Sequence, residues 1–158
     1  MLKGYSTVKA QSYGTISLGL IATDISLAVV IIFEASWVWG IMYLVICLVS
    51  SVSILYAFCA KCSCREHCGH VLPGKASGIF KNRLQGPYSP FELIITCLAL
   101  LLLVGTPQPW LMKNVLVMVF FWMIILIAVI QIRAVVCKAC DNVCCPINSK
   151  TSKIDSLI

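Results

Sequence analysis

The chain has 158 residues, 60% of them hydrophobic and only 11% charged, with a formal net charge of +6. Soluble domains carry roughly 25% charged residues, so this chain cannot clothe a water-facing surface, and its mean hydropathy of +0.97 agrees. On such an apolar chain the position of each charge matters more than their sum; a lipid bilayer is the expected partner and nucleic acid is not.

Residues 1–13 carry Lys3 and Lys9 and read as a polar N-terminus. Gly14 to Phe33 is apolar apart from Asp24 and a few hydroxyls, and forms the first predicted span (14–33). A helix rising about 1.5 Å per residue needs about 20 residues to cross a hydrocarbon core of about 30 Å. The stretch is too long for the apolar region of a secretory signal, and a second span follows almost at once, so it reads as an uncleaved helix. After a tight corner at Phe33 to Trp37 comes a charge-free second span (35–58).

A loop over 59–90, rich in Cys, Gly, Lys and Arg, separates this hairpin from the next. The third span (91–105) is the weakest, because Pro107 and Pro109 should end its helix near Gly105. It must then begin at or before Phe91, admit Glu92 at the interface, or thin the bilayer locally. The fourth span (111–136) is long and charge-free from Asn114 to Gln131, and a polar tail (137–158) closes the chain. Trp37, Trp39 and Trp110 fall at the outer helix ends, where an aromatic belt is expected. The fold class is thus all-α integral membrane: a four-transmembrane-helix bundle built as two helical hairpins.

Of the 12 basic residues all but Lys113 fall on one side of this arrangement. The positive-inside rule puts that side in the cytoplasm, with both termini, and the plasma membrane is the expected location. Cysteines on that side would be kept reduced. A shift of 78 residues lays the second hairpin over the first, mapping Cys59 onto Cys137 and Cys62 onto Cys140. Few other identities survive it, so either a parallel duplication or two independent cysteine pairs would account for the match.

Of the 10 cysteines, all but Cys47 and Cys97 lie in two runs on the basic side. The first is Cys59, Cys62, Cys64 and Cys68, with His67 and His70 alongside; the second is Cys137, Cys140, Cys144 and Cys145, followed by Pro146. A Cys-x-x-Cys pair at a helix end sets two sulfurs on one side, and two such pairs make a tetrahedral thiolate site suited to zinc or an iron–sulfur cluster. Cys59, Cys62, Cys137 and Cys140 are the expected ligands, with Cys64, Cys68, Cys144 and Cys145 auxiliary. The second run partly resembles the bacterial ferredoxin spacing, departing by one residue in the third gap and by its adjacent cysteine pair. The same residues would equally serve thiol–disulfide chemistry, although nothing else suggests a thioredoxin fold. Inert or S-acylated cysteines are the bland reading. The histidines read as extra ligands or as solvated loop residues.

Asp24 lies mid-span, where an acid is a functional hypothesis by default. Cys47 and Cys97 fall at similar depths, so the three form a possible intramembrane site on a path for a soft cation. Alternatively a protonated Asp24 bonds Ser50, Ser51 or Ser53 and acts as interhelical glue. Gly69 to Ala76 is a near miss to the phosphate-binding P-loop, lacking both the preceding strand and the hydroxyl after the lysine. Lys75, Lys81 and Arg83 read more simply as contacts to anionic headgroups. No catalytic triad, paired catalytic carboxylates or dinucleotide fingerprint is present, so enzymatic activity is not indicated. The functional expectation is an electron-transfer component, or the small subunit of a larger membrane complex, carrying a cysteine-ligated centre. The alternatives are a soft-metal carrier and a non-catalytic acylated scaffold.

Overall fold

The computed structural model describes residues 2–62, 68–80, 86–140 and 145, with side chains from residue 10 onward. It is all-α, and no strand occurs among the described residues. The elements in chain order are α1 (Leu2–Ala35), α2 (Trp37–Ile54), α3 (Val71–Ser77), α4 (Pro90–Gly105), α5 (Gln108–Leu111) and α6 (Val115–Gln131). Both α2 and α6 run on into a π-helical turn, Leu55–Cys59 and Ile132–Cys137 respectively.

Four segments are long and apolar enough to cross a membrane: Ala10–Ala35, Trp37–Cys59, Pro90–Leu111 and Val115–Cys137. The chain is a small four-helix membrane protein. Its helices bury narrow stripes and leave the rest of their apolar surface outward, as helices solvated by lipid do. On α1 the buried residues are Ala10, Gly14, Ser17, Asp24, Ala28 and Ile32, which keep a heptad spacing along one face. α4 buries Glu92, Thr96, Ala99 and Leu103, and α6 buries Phe121, Ile124 and Ala128, again at steps of three and four. Small residues recur in these stripes, and they let helix backbones approach closely where no hydrophobic effect drives association. α1 packs against both α2 and α6, and α2 packs against α4.

The first helix begins at Leu2, well before the predicted span, because nothing in the polar N-terminal stretch interrupts it. Within the span the hydroxyls of Thr15, Ser17, Thr23 and Ser26 donate to carbonyls three or four residues back, so they need no partner in lipid. The α1–α2 corner is closed by Ser36 in an extended conformation, and Gly40 lets the Phe33 ring lie flat against α2, where a Cβ would sit 2.5 Å from it. α4 stops at Gly105, as the prolines predict. The chain nevertheless turns straight into α5, so the apolar segment reaches Leu111 and spans 22 residues, about 33 Å at about 1.5 Å per residue. The shortfall foreseen for the third span therefore does not arise. At this hairpin end Trp39 and Trp110 pair with ring centroids 5.7 Å apart, and Trp37 is exposed.

Candidate functional site at the thiol end of the bundle

The C-terminal ends of α2 and α6 are built alike. A π turn hydrogen-bonds across five residues, widens the helix by one residue and turns whatever follows onto a new face; such turns are rare and often sit at functional sites. After the first, Ala60 N donates to Leu55 O at 2.8 Å. Each π turn finishes on a cysteine, Cys59 or Cys137, and each is followed by the same closing bond. Cys62 N donates to Cys59 O at 3.2 Å, and Cys140 N donates to Cys137 O at 3.2 Å. The 78-residue shift that aligns the cysteine pairs therefore also aligns their backbone geometry.

The first pair is pinned to α4. Lys61, between Cys59 and Cys62, donates to both carboxylate oxygens of Glu92 at 2.9 and 2.8 Å. Glu92 in turn accepts from Ser89 N at 2.7 Å, while Ser89 Oγ accepts from Glu92 N, a reciprocal cap that starts α4. Glu92 thus lies in the first turn of the third span, neutralised by a lysine from the cysteine loop.

A second strut comes from the loop itself. The segment Gly69–His70 crosses α1 so closely that a Cβ on Gly14 would collide with the Gly69 carbonyl. On its other side a Cβ on Gly69 would meet Val136 Cγ1 at 2.7 Å. His70 Nδ1 lies 3.1 Å from the carbonyl oxygen of Gly14, which can only accept, so Nδ1 carries the proton and Nε2 keeps its lone pair. Burial holds the imidazole below its ordinary pKa, partly offset by that bond. His70 is therefore docked on α1 rather than solvated, and its tautomer is the one a metal-ligating histidine adopts when a carbonyl orients it. The P-loop-like run dissolves here: Gly69 is a packing glycine, and Val71–Ser77 is a short helix. Lys75 is exposed at its end.

Six cysteines of the two runs are described, each half-buried. Cys59 has Cys68 and Cys62 as electrostatic neighbours. Cys137 has Cys145 and Cys68, together with Arg133. Cys68, given an auxiliary role on spacing, thus neighbours a helix-end cysteine from each run. Between the runs lies Tyr88, whose ring stacks on Phe58 at 4.8 Å and whose hydroxyl donates to Phe58 O at 3.2 Å. Burial raises its phenol pKa well above the usual range, and Cys62, Cys145, Cys59 and Cys140 push in the same direction. Members of both Cys-x-x-Cys pairs are thus electrostatic neighbours of one tyrosine. Sequence reasoning passed over Tyr88, because a lone tyrosine in a polar loop carries no periodic or motif signal.

Among the described residues, no group of three or more His, Cys, Asp or Glu side chains is drawn together tightly enough to hold a metal ion. Cys64, His67 and Cys144 lie outside the described residues, as do Lys81 and Arg83.

No protein-family model, curated protein or solved structure matches the chain. Its function must be argued from its own residues.

Of the mid-span residues, Asp24 and Cys47 share Tyr43 as an electrostatic neighbour. Asp24 is 3% exposed, and Tyr43 of α2 is 1% exposed. Tyr43 donates its hydroxyl proton to Leu103 O at 2.9 Å, and it has Cys47 and Asp24 as electrostatic neighbours. Cys97 is exposed on α4. Ser50 is buried on the α2 stripe, but no hydrogen bond reaches Asp24 Oδ1 from it or from any other described residue.

Proposed function

We propose that this protein carries a thiolate centre, zinc or an iron–sulfur cluster, at the cytoplasmic face of a multi-pass membrane bundle, and serves as an electron-transfer component or as the small subunit of a membrane complex. The observation that carries the reading is the same π turn and closing bond at each Cys-x-x-Cys pair, with Tyr88 an electrostatic neighbour of both pairs. Cys59, Cys62, Cys137 and Cys140 are the proposed ligands, with Cys68 next to both runs and the remaining cysteines auxiliary. Soft thiolates in a tetrahedral set suit zinc or iron–sulfur, and a reducing cytosol would keep them available. Half-burial supports ligation over acylation, since a thioester chain needs a sulfur open to lipid.

The cytoplasmic assignment rests on the basic residues of the thiol end, and the plasma membrane is the proposed location. The test is elemental analysis and absorption spectroscopy of protein purified without oxygen. The reading expects stoichiometric zinc, or iron with sulfide, and Cys62→Ser or Cys140→Ser should release it. Protein free of metal whose cysteines bear hydroxylamine-sensitive lipid would overturn it in favour of an acylated scaffold. For the orientation, an impermeant thiol reagent should reach a cysteine placed at Ala35 in intact cells and one at Lys75 only after permeabilisation.

A further inference from the structure

Asp24 is a carboxyl in the middle of a membrane-spanning helix, and its Oδ1 is buried with no hydrogen-bond partner. Buried polar atoms are almost always satisfied, so an orphaned oxygen marks a place where something else binds. The groups facing it are few. From α2 come Tyr43 and Cys47, the phenol being an electrostatic neighbour of the carboxyl. α6 and α5 bring no titratable residue, and α3 brings only Lys75, at the thiol end. Arg133 and Cys137 of the second π turn are also at that end. On α1 itself the nearest acid is Glu34, at the opposite end of the span.

Tyr43 and Cys47 are one helical turn apart on α2 and are electrostatic neighbours. The phenol donates its hydrogen bond to Leu103 O at 2.9 Å. Two groups with exchangeable protons, Tyr43 and Cys47, thus lie together on α2, and the phenol is a neighbour of a carboxyl with an unused oxygen. Every residue here is described, and no metal-holding group of His, Cys, Asp and Glu is found. The donor set is too sparse for a metal, and the cation it suits is the proton. A second buried oxygen without a partner, Oε1 of Gln131, lies nearer the thiol end on α6. Ser17 sits two turns below Asp24 on the buried stripe of α1. Polar atoms thus continue from the carboxyl towards the thiol end.

We propose that Asp24 is a proton-exchange site within the membrane, taking up a proton as the neutral acid and releasing it as the carboxylate, with Tyr43 and Cys47 positioning its charge. The site is independent of the thiolate centre and stands or falls apart from it. An intramembrane acid that only glues helices would stay protonated at all working pH values; an exchange site titrates.

The experiment is infrared spectroscopy of the whole purified protein in lipid nanodiscs, labelled with carbon-13 aspartate, from about pH 5 to about pH 9. The expected result is a protonated-carboxyl carbonyl band that shifts with the label and bleaches with a midpoint inside that range. It should be absent in Asp24→Asn. In Tyr43→Phe the midpoint should move by about one pH unit, a tenfold change in proton affinity. Asp24→Glu keeps a carboxyl without deleting it, so its band should persist and titrate even if Asp24→Asn fails to fold. A band constant over the whole range, or no labelled band at any pH, overturns the proposal. A midpoint unmoved by Tyr43→Phe overturns the part given to Tyr43.

Discussion

Lys61→Met removes the cation that both oxygens of Glu92 contact, at 2.9 and 2.8 Å. The pair is intermediate in exposure, its side chains 18% and 9% accessible. Exposed pairs contribute about 0–1 kcal/mol, whereas breaking a buried one costs about 3–5 kcal/mol. A pair between these limits should lose about 2 kcal/mol when the lysine goes, because Glu92 keeps its cap on Ser89 but not its countercharge. Glu92→Gln is gentler, since an amide oxygen can still accept from Ser89 N. The double variant should cost less than the sum of the two, with a coupling of about 1–2 kcal/mol. The assay is reversible unfolding of the purified protein in mixed micelles, titrated with a denaturing detergent. Additive costs, or a Lys61→Met effect within about 0.5 kcal/mol of zero, would refute the idea that this pair anchors the first cysteine turn to α4.

Gly14→Ala should destabilise by about 2–3 kcal/mol, since the new methyl meets backbone and not a yielding side chain. Gly19→Ala on the same helix meets nothing within 4 Å and should stabilise by about 0.5–1 kcal/mol, measured by the same unfolding assay. His70 is held neutral by burial, so the unfolded chain binds its proton more readily than the folded one. Its contribution is therefore complete above the ordinary value of 6.5 and declines as pH falls below it. Unfolding across that interval should show a slope that His70→Gln removes; an unchanged slope would assign the effect elsewhere.

The spans were legible because hydropathy and length are properties of single segments. The α1–α2 corner and the stop at Gly105 followed from ordinary rules for proline and turns. The 78-residue shift pointed to matching cysteine turns, and the backbone bonds at Cys62 and Cys140 match. What stayed hidden depends on which distant surfaces meet. Val71–Ser77 is a helix despite Pro73 and Gly74, since proline is tolerated in a first turn. Tyr88 and the docking of His70 are set by packing between segments far apart in the chain. Tyr43 left a usable trace, because it lies four residues before Cys47 on one face of an apolar helix. Asp24 was recognisable alone, but its orphaned oxygen is a feature of the assembled bundle.

The seating of Gly69 between Ala10 and Val136 also has a bearing on biosynthesis. A ribosome releases the chain from its N-terminus, so the cysteine loop is made long before the end of the fourth span. Until that last helix has been inserted beside α1, the loop has only half of its seat, and the second cysteine run does not yet exist. The thiol end is therefore completed last, as a closing event of translation. A protein truncated before α6 should hold its first three spans in the membrane and leave its cysteine loop open to proteases and to metal scavengers.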